Sequence, residues 1–381
     1  MTATAQLYDA SNLSSLVWPD TDDGRYARTY LTPIISQGAT RYVGNVKTET
    51  MVVVAGDVVL PVTVNDAEYD NSYVCSPFTH YISYAREELR TLKNPRLERA
   101  LAVMIDSLGG LLKAARINRT VMVNNWFLST NLYAGGVAPA VDAITDQLRA
   151  RYPDHAICFR SVDDHSNPDL VWALRRNRYQ LLAGRQVYIV ERGDPRVKQN
   201  RSWKRDLKLY KEVAADVVDH DQITPADYPR IVELYNALYL DKYSTHNPNF
   251  TEAWVAHTHQ SRTLHLMGVR QDGRLNGILG YFLRNGFMTT PLFGYDTSLP
   301  VKAGLYRILM TAQQFEAEKR GVVLHQSAGA AEFKRSRGAW PHLEYNAVLY
   351  DHLSPLRRAP WAGLQQLLER VFVTLLEKYE L

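Results

Sequence analysis

The sequence predicts an α/β protein with two domains, each a mixed β-sheet flanked by helices. Three observations support this prediction: a strand–helix–strand pattern over residues 289–326, the same order of elements in the first half of the chain, and a length of 381 residues. A helix that connects two neighbouring strands makes those strands parallel. A hairpin before such a unit adds antiparallel strands to the sheet, and the length is sufficient for two domains.

The strand–helix–strand unit is the clearest pattern in the chain. A strand at 289–295 and a loop at 296–302 precede a helix at 303–320, in which apolar residues recur at three- and four-residue spacing: Leu305, Ile308, Leu309, Ala312 and Phe315. Gly321 follows a basic last turn and is suited to end the helix. A second strand at 322–326 and a last strand at about 344–350 follow.

The start of this helix is a candidate anion site. Lys302 and Gly304 lie there, and a helix N-terminus carries unpaired N–H groups and a partial positive charge that can hold a phosphate. A glycine also lets a ligand approach the backbone closely. The same two residues are expected at an ordinary helix start, so both interpretations stay open.

The two halves of the chain share one order of elements: a hairpin, a third strand, a long helix and a parallel strand. The predicted elements of the first half are a hairpin at 50–64, strands at 72–84, 119–127, 156–160 and 179–190, and helices at 24–36, 94–115, 137–151 and 167–176. Those of the second half include a hairpin at 263–284 and a strand at 287–295. Residues 1–24 are expected to be loosely ordered. Because sequence identity between the halves is negligible, the repeat is architectural only.

These patterns divide the chain into domains at 1–192 and 193–354, followed by an amphipathic helix at 355–381. That last helix carries Trp361, Leu364, Leu368, Val371, Phe372, Leu375 and Tyr379. An apolar stripe of this kind needs a packing partner. We expect it to pack on the second domain or on a partner subunit, and the latter would make a homodimer.

Composition indicates an ordinary globular protein, with 46% hydrophobic and 22% charged residues. A formal net charge of +4 is too small to imply nucleic-acid binding by itself.

Cys75 and Cys158 both lie in apolar runs, which favours reduced thiols over a disulfide framework. Residues 1–15 lack the pattern of a signal peptide, and no apolar run approaches the roughly 20 residues that span a bilayer. The expected location is the cytoplasm, with no membrane partner.

A basic amphipathic helix is predicted between the halves, at 193–211. One of its faces carries Arg201, Lys204, Arg205, Lys208 and Lys211, and another carries Trp203, Leu207 and Tyr210. The helix is either a solvated connector held by its aromatic side, or a surface that contacts the phosphates of a nucleotide cofactor or of RNA.

Three stretches resemble the GNAT acyltransferase superfamily, and in particular its tandem branch of FemAB-like aminoacyl transferases and cellulose-biosynthesis-type acetyltransferases. Residues 202–208 are similar to the basic helix that opens the second FemAB domain, and residues 304–321 to the helix after the cofactor-side strand. The third stretch is Ser327-Ala328-Gly329 with Phe333-Lys334 and Arg337-Gly338, which resembles a small-residue turn and the Tyr/Phe-Lys step that follows it. The resemblance covers residues 200–350 and implies tandem GNAT-like domains with the active site in the second.

The resemblance implies an N-acyltransferase that forms an amide by transferring an acyl group from acyl-CoA to a small-molecule or amino-acid-derived amine. The usual GNAT pyrophosphate loop is absent, and only Lys302-Ala303-Gly304 stands in its place. FemAB-like members also lack a full loop and use aminoacyl-tRNA, which makes charged tRNA the alternative donor. A non-catalytic binding or scaffold protein is the third class that stays open.

Amide formation needs an oxyanion donor, a proton acceptor and an acid for the leaving group. The resemblance places backbone N–H donors around residues 294–296. Asp296 and Glu344 are the candidate bases, and Tyr295, Tyr306 and Tyr345 are the candidate acids, each of which can also be a packing residue. Residues expected to bind the donor are Lys302, Gly304, Tyr306, Gln326, Lys334 and Arg337. Asp296 can also cap a turn, and Glu344 can be solvated.

No metal site is predicted. His257 and His259 are two positions apart, which points their rings away from each other on a helix, and no cysteine pair has ligand spacing.

Overall fold

The computed structural model describes residues 4–89 and 95–372. In these ranges the strands are β1 Ala5–Tyr8, β2 Glu49–Ala55, β3 Val58–Asn65, β4 Thr120–Val123, β5 Ala156–Val162, β6 Gln180–Val190, β7 Val217–Val218, β8 His265–Gln271, β9 Arg274–Arg284, β10 Phe287–Tyr295, β11 Val323–His325 and β12 Trp340–Leu349. The helices are α1 Asp22–Gln37, α2 Tyr84–Glu88, α3 Pro95–Ala114, α4 Val141–Arg151, α5 Pro168–Arg176, α6 Pro195–Gln199, α7 Arg201–Glu212, α8 Tyr228–Asn236, α9 Glu252–Gln260, α10 Leu305–Arg320, α11 Ala331–Arg335 and α12 Pro355–Leu367.

Helix boundaries follow local capping chemistry. Thr21 accepts a hydrogen bond from the Gly24 N–H and starts α1, with two aspartates in its first turn. Asn200 accepts one from the Trp203 N–H at 3.0 Å and starts α7. A side chain that accepts from a free N–H of the first turn stabilises a helix by about 1 kcal/mol.

The chain divides into two compact units. Unit 1 comprises Met1–Gly184, Ser244–Asn249 and Glu344–Leu381. Its strands lie in the order β1-β2-β3-β4-β5-β12. The pairing of β4 with β5 is parallel, with Thr120 opposite Ala156, and the other pairs of described strands are antiparallel. Its core is built from β-branched and aliphatic side chains, among them Val53, Leu60, Val121, Ile144, Ile157 and Leu174.

Unit 2 comprises Arg185–Tyr243 and Phe250–Leu343. Its strands lie in the order β6-β11-β10-β9-β8-β7. Here β10 and β11 are parallel, with Phe287 opposite Val323, and the neighbouring pairs are antiparallel. Its core includes Tyr188, Trp203, Leu279, Met288, Ile308 and Leu324. Each unit therefore contains a mixed sheet flanked by helices, which confirms the predicted fold class. The order of parallel and antiparallel pairings is the same in both units.

The limits of the units differ from the predicted domain limits at 192 and 354. Unit 2 begins at Arg185, and the segment from Glu344 belongs to unit 1. Trp361 and Leu364 of α12 are buried in a second core cluster of unit 1, beside Ile82 and Leu112. The prediction that the C-terminal helix packs on the second domain is therefore wrong for its described part, and packing on a partner subunit stays a prediction. Leu375 and Tyr379 lie outside the described residues.

Two other predicted segments differ. Ala5–Tyr8 pairs with β2, although residues 1–24 were expected to be loosely ordered. Residues 72–84 form turns and a short helix in place of a strand. The cause is side-chain bonding, because Ser76 Oγ accepts from the Thr79 N–H and Asn118 Oδ1 accepts from the Phe78 N–H, both at 2.9 Å.

Among the described residues, no helix has the length and apolarity that a membrane crossing needs.

Candidate active site

The parallel strands of unit 2 separate after a short pairing. Thr289 lies opposite His325, but β10 continues to Tyr295 whereas β11 ends. A bulge between Thr289 and Leu292 contains Pro291, which has no N–H to donate. After β11 the chain turns away at Ser327, where φ is 57°. In the part of the chain that the structure describes, β10 beyond Thr289 is thus paired on one side only.

The open edge of β10 presents backbone N–H groups. The Asp296 N–H donates to the Asn276 carbonyl of β9 at 2.8 Å. Because backbone groups alternate in direction along a strand, the N–H groups of Tyr295 and Phe293 face away from β9. These two donors are therefore available to an acyl carbonyl between the strands, near the position that the sequence predicts.

The N-terminus of α10 lies just beyond this edge. Gly304 precedes the helix with φ of 70°, and a Cβ there would lie 2.9 Å from Leu209 Cδ2, so the position requires glycine. No side chain caps the first turn. Lys302 is exposed beside it. The helix begins two residues later than predicted, because Val301–Ala303 forms a separate short turn.

Three aromatic rings surround Tyr306 near the start of α10. Its ring centroid lies 4.8 Å from Phe333, 5.7 Å from Phe293 and 6.0 Å from Tyr295. Burial, and then the neighbouring Tyr243 and Tyr295, raise the pKa of Tyr306. Burial likewise raises the pKa of Tyr295. Both phenols therefore keep their protons at neutral pH, as a proton donor must.

Lys334 of α11 is buried beside the end of β11. Its Nζ donates to the carbonyls of Gln326 at 2.7 Å, Ala328 at 2.8 Å and Ser327 at 3.2 Å. All three ammonium protons of Lys334 are therefore used in hydrogen bonds to the backbone of residues 326–328, at the start of the small-residue turn. Burial, and then the charge of Arg185, lower the pKa of Lys334 to about 7. Lys334 lies at the predicted position, but its ammonium is already engaged within unit 2.

The lowered pKa of Lys334 gives a pH-dependent stability. In the unfolded chain its pKa is the ordinary 10.5 against about 7 in the folded protein, so between these values the unfolded chain binds more protons. The free energy of unfolding should therefore rise with pH across this window for the wild type relative to Lys334→Met. Urea unfolding at pH 7, 8.5 and 10 measures it, with the exposed Lys319→Met as the control. A difference that stays constant from pH 7 to 10 would contradict the lowered pKa.

Arg337 makes a buried ion pair and does not face a ligand. Its Nε and Nη2 donate to Asp206 Oδ2 at 2.6 Å each. Arg307 donates to the other oxygen, Oδ1, from Nε at 2.7 Å. Asp206 is 1% exposed. The predicted role of Arg337 in holding a phosphate or carboxylate is therefore not supported. Its guanidinium is paired with Asp206, and the ion pairs of Asp206 link α7 to α10 and to the segment after α11.

Asp296 is an ion-paired turn residue. Its Oδ2 accepts from Arg230 at 2.5 Å, and its Oδ1 accepts from the Ser298 N–H at 3.0 Å. Burial acts to raise the pKa of Asp296, but the bonds from Ser298 and Arg230 outweigh it and hold the pKa below its ordinary value. A carboxylate stabilised in this way is a poor proton acceptor. Its geometry fits the turn-capping alternative.

The remaining predicted residues are distributed over both units. Gln326 is buried at the end of β11, and its Oε1 has no hydrogen-bond partner in the described part of the chain. Glu344 and Tyr345 lie in β12 and belong to unit 1, where Tyr345 is opposite Val162. Burial, and then Asp164, raise the pKa of Tyr345. Among the predicted site residues, unit 2 therefore contains Tyr295, Lys302, Gly304, Tyr306, Gln326 and Lys334, and unit 1 contains Glu344 and Tyr345.

The basic face of α7 is exposed as predicted. Trp203 is buried in the core of unit 2, and Leu207 and Tyr210 pack against it. The opposite side shows exposed Arg201, Lys204, Arg205, Lys208 and Lys211. The sequence analysis missed Asp206, although a signal exists, because it is the one acidic residue of 201–211 and shares the buried side with Trp203.

His259 takes part in a small aromatic cluster. Its ring lies 4.4 Å from that of His220, which lies 5.1 Å from His265. Its two nitrogens bond to the Tyr228 hydroxyl and the His220 carbonyl. Throughout the described ranges, no group of three or more His, Cys, Asp and Glu side chains is placed to hold a metal ion.

Comparison with known proteins gives distant structural likenesses. No family model matches the chain, and no curated protein matches it significantly. FemX is similar with a TM-score of 0.44 and 8% identity over 60% of this chain and 80% of that chain. L-PGS from Bacillus licheniformis has a TM-score of 0.42 and 9% identity over 60% and 78%. A GCN5-related N-acetyltransferase from Sphaerobacter thermophilus has a TM-score of 0.32 and 11% identity over 79% and 80%. FemX and GCN5-related N-acetyltransferases are thus among the structures that the chain resembles.

Proposed function

We propose that the protein is an N-acyltransferase that transfers an acyl group from acyl-CoA to an amine in unit 2. The observation that carries this proposal is the open edge of β10, with the N–H groups of Phe293 and Tyr295 turned away from β9. Donors fixed in a strand need no reorganisation when negative charge develops on a carbonyl oxygen, which is where acyl transfer needs stabilisation.

The reaction requires three events at this edge. The free amine attacks the carbonyl carbon and forms a C–N bond, while the oxygen becomes an oxyanion held by the backbone N–H groups. The C–S bond then breaks, and the leaving thiolate takes a proton from the Tyr306 hydroxyl. The proton that the amine loses passes to water, and Tyr306 is reprotonated from solvent. Asp296 takes no part, because its carboxylate is held by Arg230 and Ser298.

Two further groups suit a CoA donor. The uncapped start of α10 with Lys302 can hold a phosphate. The buried Oε1 of Gln326 lacks a donor in the described residues, and a pantetheine arm carries amide N–H groups that could supply one.

A second donor, aminoacyl-tRNA, is favoured by one observation. The five exposed cations of α7 lie on the helix that packs against Gly304 at the start of α10. A row of Lys and Arg along a helix suits a nucleic-acid backbone. In that case an aminoacyl ester replaces the thioester, and the leaving group is a ribose hydroxyl.

The test is a transfer assay read by intact mass, with short acyl-CoA thioesters and charged tRNAs offered separately to a panel of primary amines. We expect an acceptor that gains the mass of the acyl group, together with free CoA thiol. Absence of transfer from both donor classes across the panel, by a protein with a cooperative unfolding transition, would contradict the proposal.

The triple variant Arg201→Gln, Lys204→Gln, Arg205→Gln separates the two donors. If charged tRNA is the donor, its affinity should fall in the variant, and the slope of log affinity against log salt should decrease by about 0.7–0.9 for each phosphate that the variant no longer neutralises. If acyl-CoA is the donor, the variant should bind it as the wild type does. The equivalent triple variant of exposed cations in unit 1, Arg149→Gln, Arg151→Gln, Arg175→Gln, controls for net charge.

A further inference from the structure

A row of three tyrosines leads from the core of unit 2 to its surface. Tyr235, Tyr239 and Tyr243 follow one another at four-residue spacing, across the end of α8 and a π-helical turn at Ala237–Asp241, a rare conformation that recurs at functional sites. The ring centroids of Tyr235 and Tyr239 lie 4.8 Å apart, and those of Tyr239 and Tyr243 lie 6.2 Å apart. Tyr235 is 3% exposed and Tyr243 is 56% exposed. The tyrosine row therefore presents an aromatic ring to solvent at its outer end.

The row begins against the strand that carries the proposed oxyanion donors. A Cβ added at Gly294 would lie 2.6 Å from the carbonyl carbon of Leu234 and 2.7 Å from the nitrogen of Tyr235. Glycine is therefore required there, because the backbone of α8 touches the backbone of β10. Gly294 lies between Phe293 and Tyr295, whose N–H groups are the proposed donors. The tyrosine row thus starts at the proposed site of acyl transfer.

The outer end of the row lies near the two phenols of the candidate site. The ring centroids of Tyr295 and Tyr306 lie 6.0 Å apart, and Tyr239 packs against the same core cluster as both. Burial is the largest cause that raises the pKa of Tyr295 and of Tyr306, and the nearby Tyr243 phenol is the next cause for each. The exposed ring of Tyr243 is therefore close to the groups that the transfer reaction needs.

The charges around this ring do not favour an acceptor with a second ammonium group. The carboxylate of Asp296 is already paired with Arg230 at 2.5 Å. Lys242 Nζ lies 5.6 Å from the ring centroid of Tyr243, so a cation of this chain already shares that ring. Asp241, the residue before Lys242, is exposed and offsets its charge. An uncharged aromatic group would contact the ring without competing with Lys242.

We infer that the acyl acceptor is an arylalkylamine, a primary amine one or two carbons from an aromatic ring, and that this ring stacks on Tyr243. The inference rests on the proposed acyl transfer in unit 2 and adds the class of its acceptor. Aromatic pairs in offset or edge-to-face geometry stabilise a contact beyond the area that they bury, by an amount that corresponds to about two- to tenfold in affinity. The surface is open to solvent at Tyr243, so the acceptor needs no enclosed cavity.

The test compares 2-phenylethylamine with 2-cyclohexylethylamine, which carry the same charge and differ in aromaticity. Both are titrated against the full chain without an acyl donor, by ligand-observed NMR, and both are then offered as acceptors in the transfer assay. We expect 2-phenylethylamine to bind about two- to tenfold more tightly, and to have a kcat/KM higher by a similar factor. Spermidine, a polycation, is the third probe and should bind more weakly than 2-phenylethylamine.

Variants test the ring that we assign to the acceptor. Tyr243→Leu should abolish the preference for 2-phenylethylamine over 2-cyclohexylethylamine, and Tyr243→Phe should retain it because the ring supplies the contact. Trp340→Leu removes another exposed aromatic side chain of unit 2 and should leave the preference unchanged.

The outcomes separate this inference from the proposed function. Transfer to both amines at equal rates, with equal binding, overturns the inference and supports the proposed acyl transfer. Tighter binding of spermidine than of 2-phenylethylamine, or a preference that survives in Tyr243→Leu, also overturns it. A lack of transfer to any amine contradicts the proposed function, and the titration without donor then still decides whether Tyr243 selects an aromatic amine.

Discussion

Asp206→Ala should lower the free energy of unfolding by about 3–5 kcal/mol, because removing one partner of a buried ion pair leaves an uncompensated charge. Asp206 is 1% exposed and binds Arg337 and Arg307 through separate oxygens. Arg337 is itself buried, at 8% exposed, so its guanidinium is largely shielded from water when the carboxylate is removed. Denaturant unfolding of the variant beside the wild type measures the effect.

Two further variants show whether the destabilisation comes from charge or from packing. Asp206→Asn keeps the volume but not the charge, and it should recover only part of the stability because an amide oxygen accepts more weakly from a guanidinium. Glu212→Ala breaks the exposed pair with Lys208 on the same helix and should change stability by about 0.5 kcal/mol or less. A decrease of less than about 1 kcal/mol for Asp206→Ala, well under the range for a buried pair, would show that water reaches Arg337 and that apolar packing holds the three elements.

The βαβ unit of the second half was predictable because its signal is local. The apolar spacing of α10, the glycine at each end and the strands on either side all lie within residues 287–325. The parallel pairing of β10 with β11 follows from that order. The exposed cations and buried Trp203 of α7 follow equally from helical periodicity.

The partners of the charged side chains were not predictable, because they come from distant parts of the chain. Arg337 and Lys334 lie three residues apart in a basic turn, where sequence suggests free cations. Arg337 is neutralised by Asp206, 131 positions away, and Lys334 donates its hydrogen bonds to the backbone carbonyls of residues 326–328. Asp296 is likewise held by Arg230, 66 positions away. The location of the candidate site could therefore be predicted, while the choice between ligand-binding and structural roles depended on tertiary structure.

The limits of the two units were also outside the reach of local patterns. The last strand, expected at about 344–350, was predicted to end the second domain, yet its pairing with β5 places residues from Glu344 in unit 1. Alternation along a strand indicates which side chains are buried but not which neighbour the strand joins. The same reason explains why Glu344 and Tyr345 were grouped with Asp296 and Tyr295 at the sequence level.

Tyr306→Phe should lower kcat/KM for acyl transfer from an alkyl thioester by about 100- to 10,000-fold, which is the range for loss of a positioned acid or base. Phenylalanine preserves the ring contacts with Phe293, Tyr295 and Phe333 and removes only the proton donor. The decrease should therefore appear in kcat with little change in KM. Tyr210→Phe, which alters a tyrosine packed on Phe315 elsewhere in unit 2, should retain wild-type rates.

The leaving group decides whether Tyr306 is the acid or only a packing residue. A thiophenol leaving group is stable as a thiolate and needs no proton, so the rate deficit of Tyr306→Phe should shrink strongly when an aryl thioester replaces the alkyl thioester. Tyr295→Phe tested in the same way shows which of the two phenols supplies the proton, since both have pKa values raised by burial. An equal deficit with both thioesters would assign Tyr306 to donor positioning and leave Tyr295 as the candidate acid. A deficit that disappears with the aryl thioester in Tyr306→Phe, and is absent throughout in Tyr295→Phe, is the result that we expect.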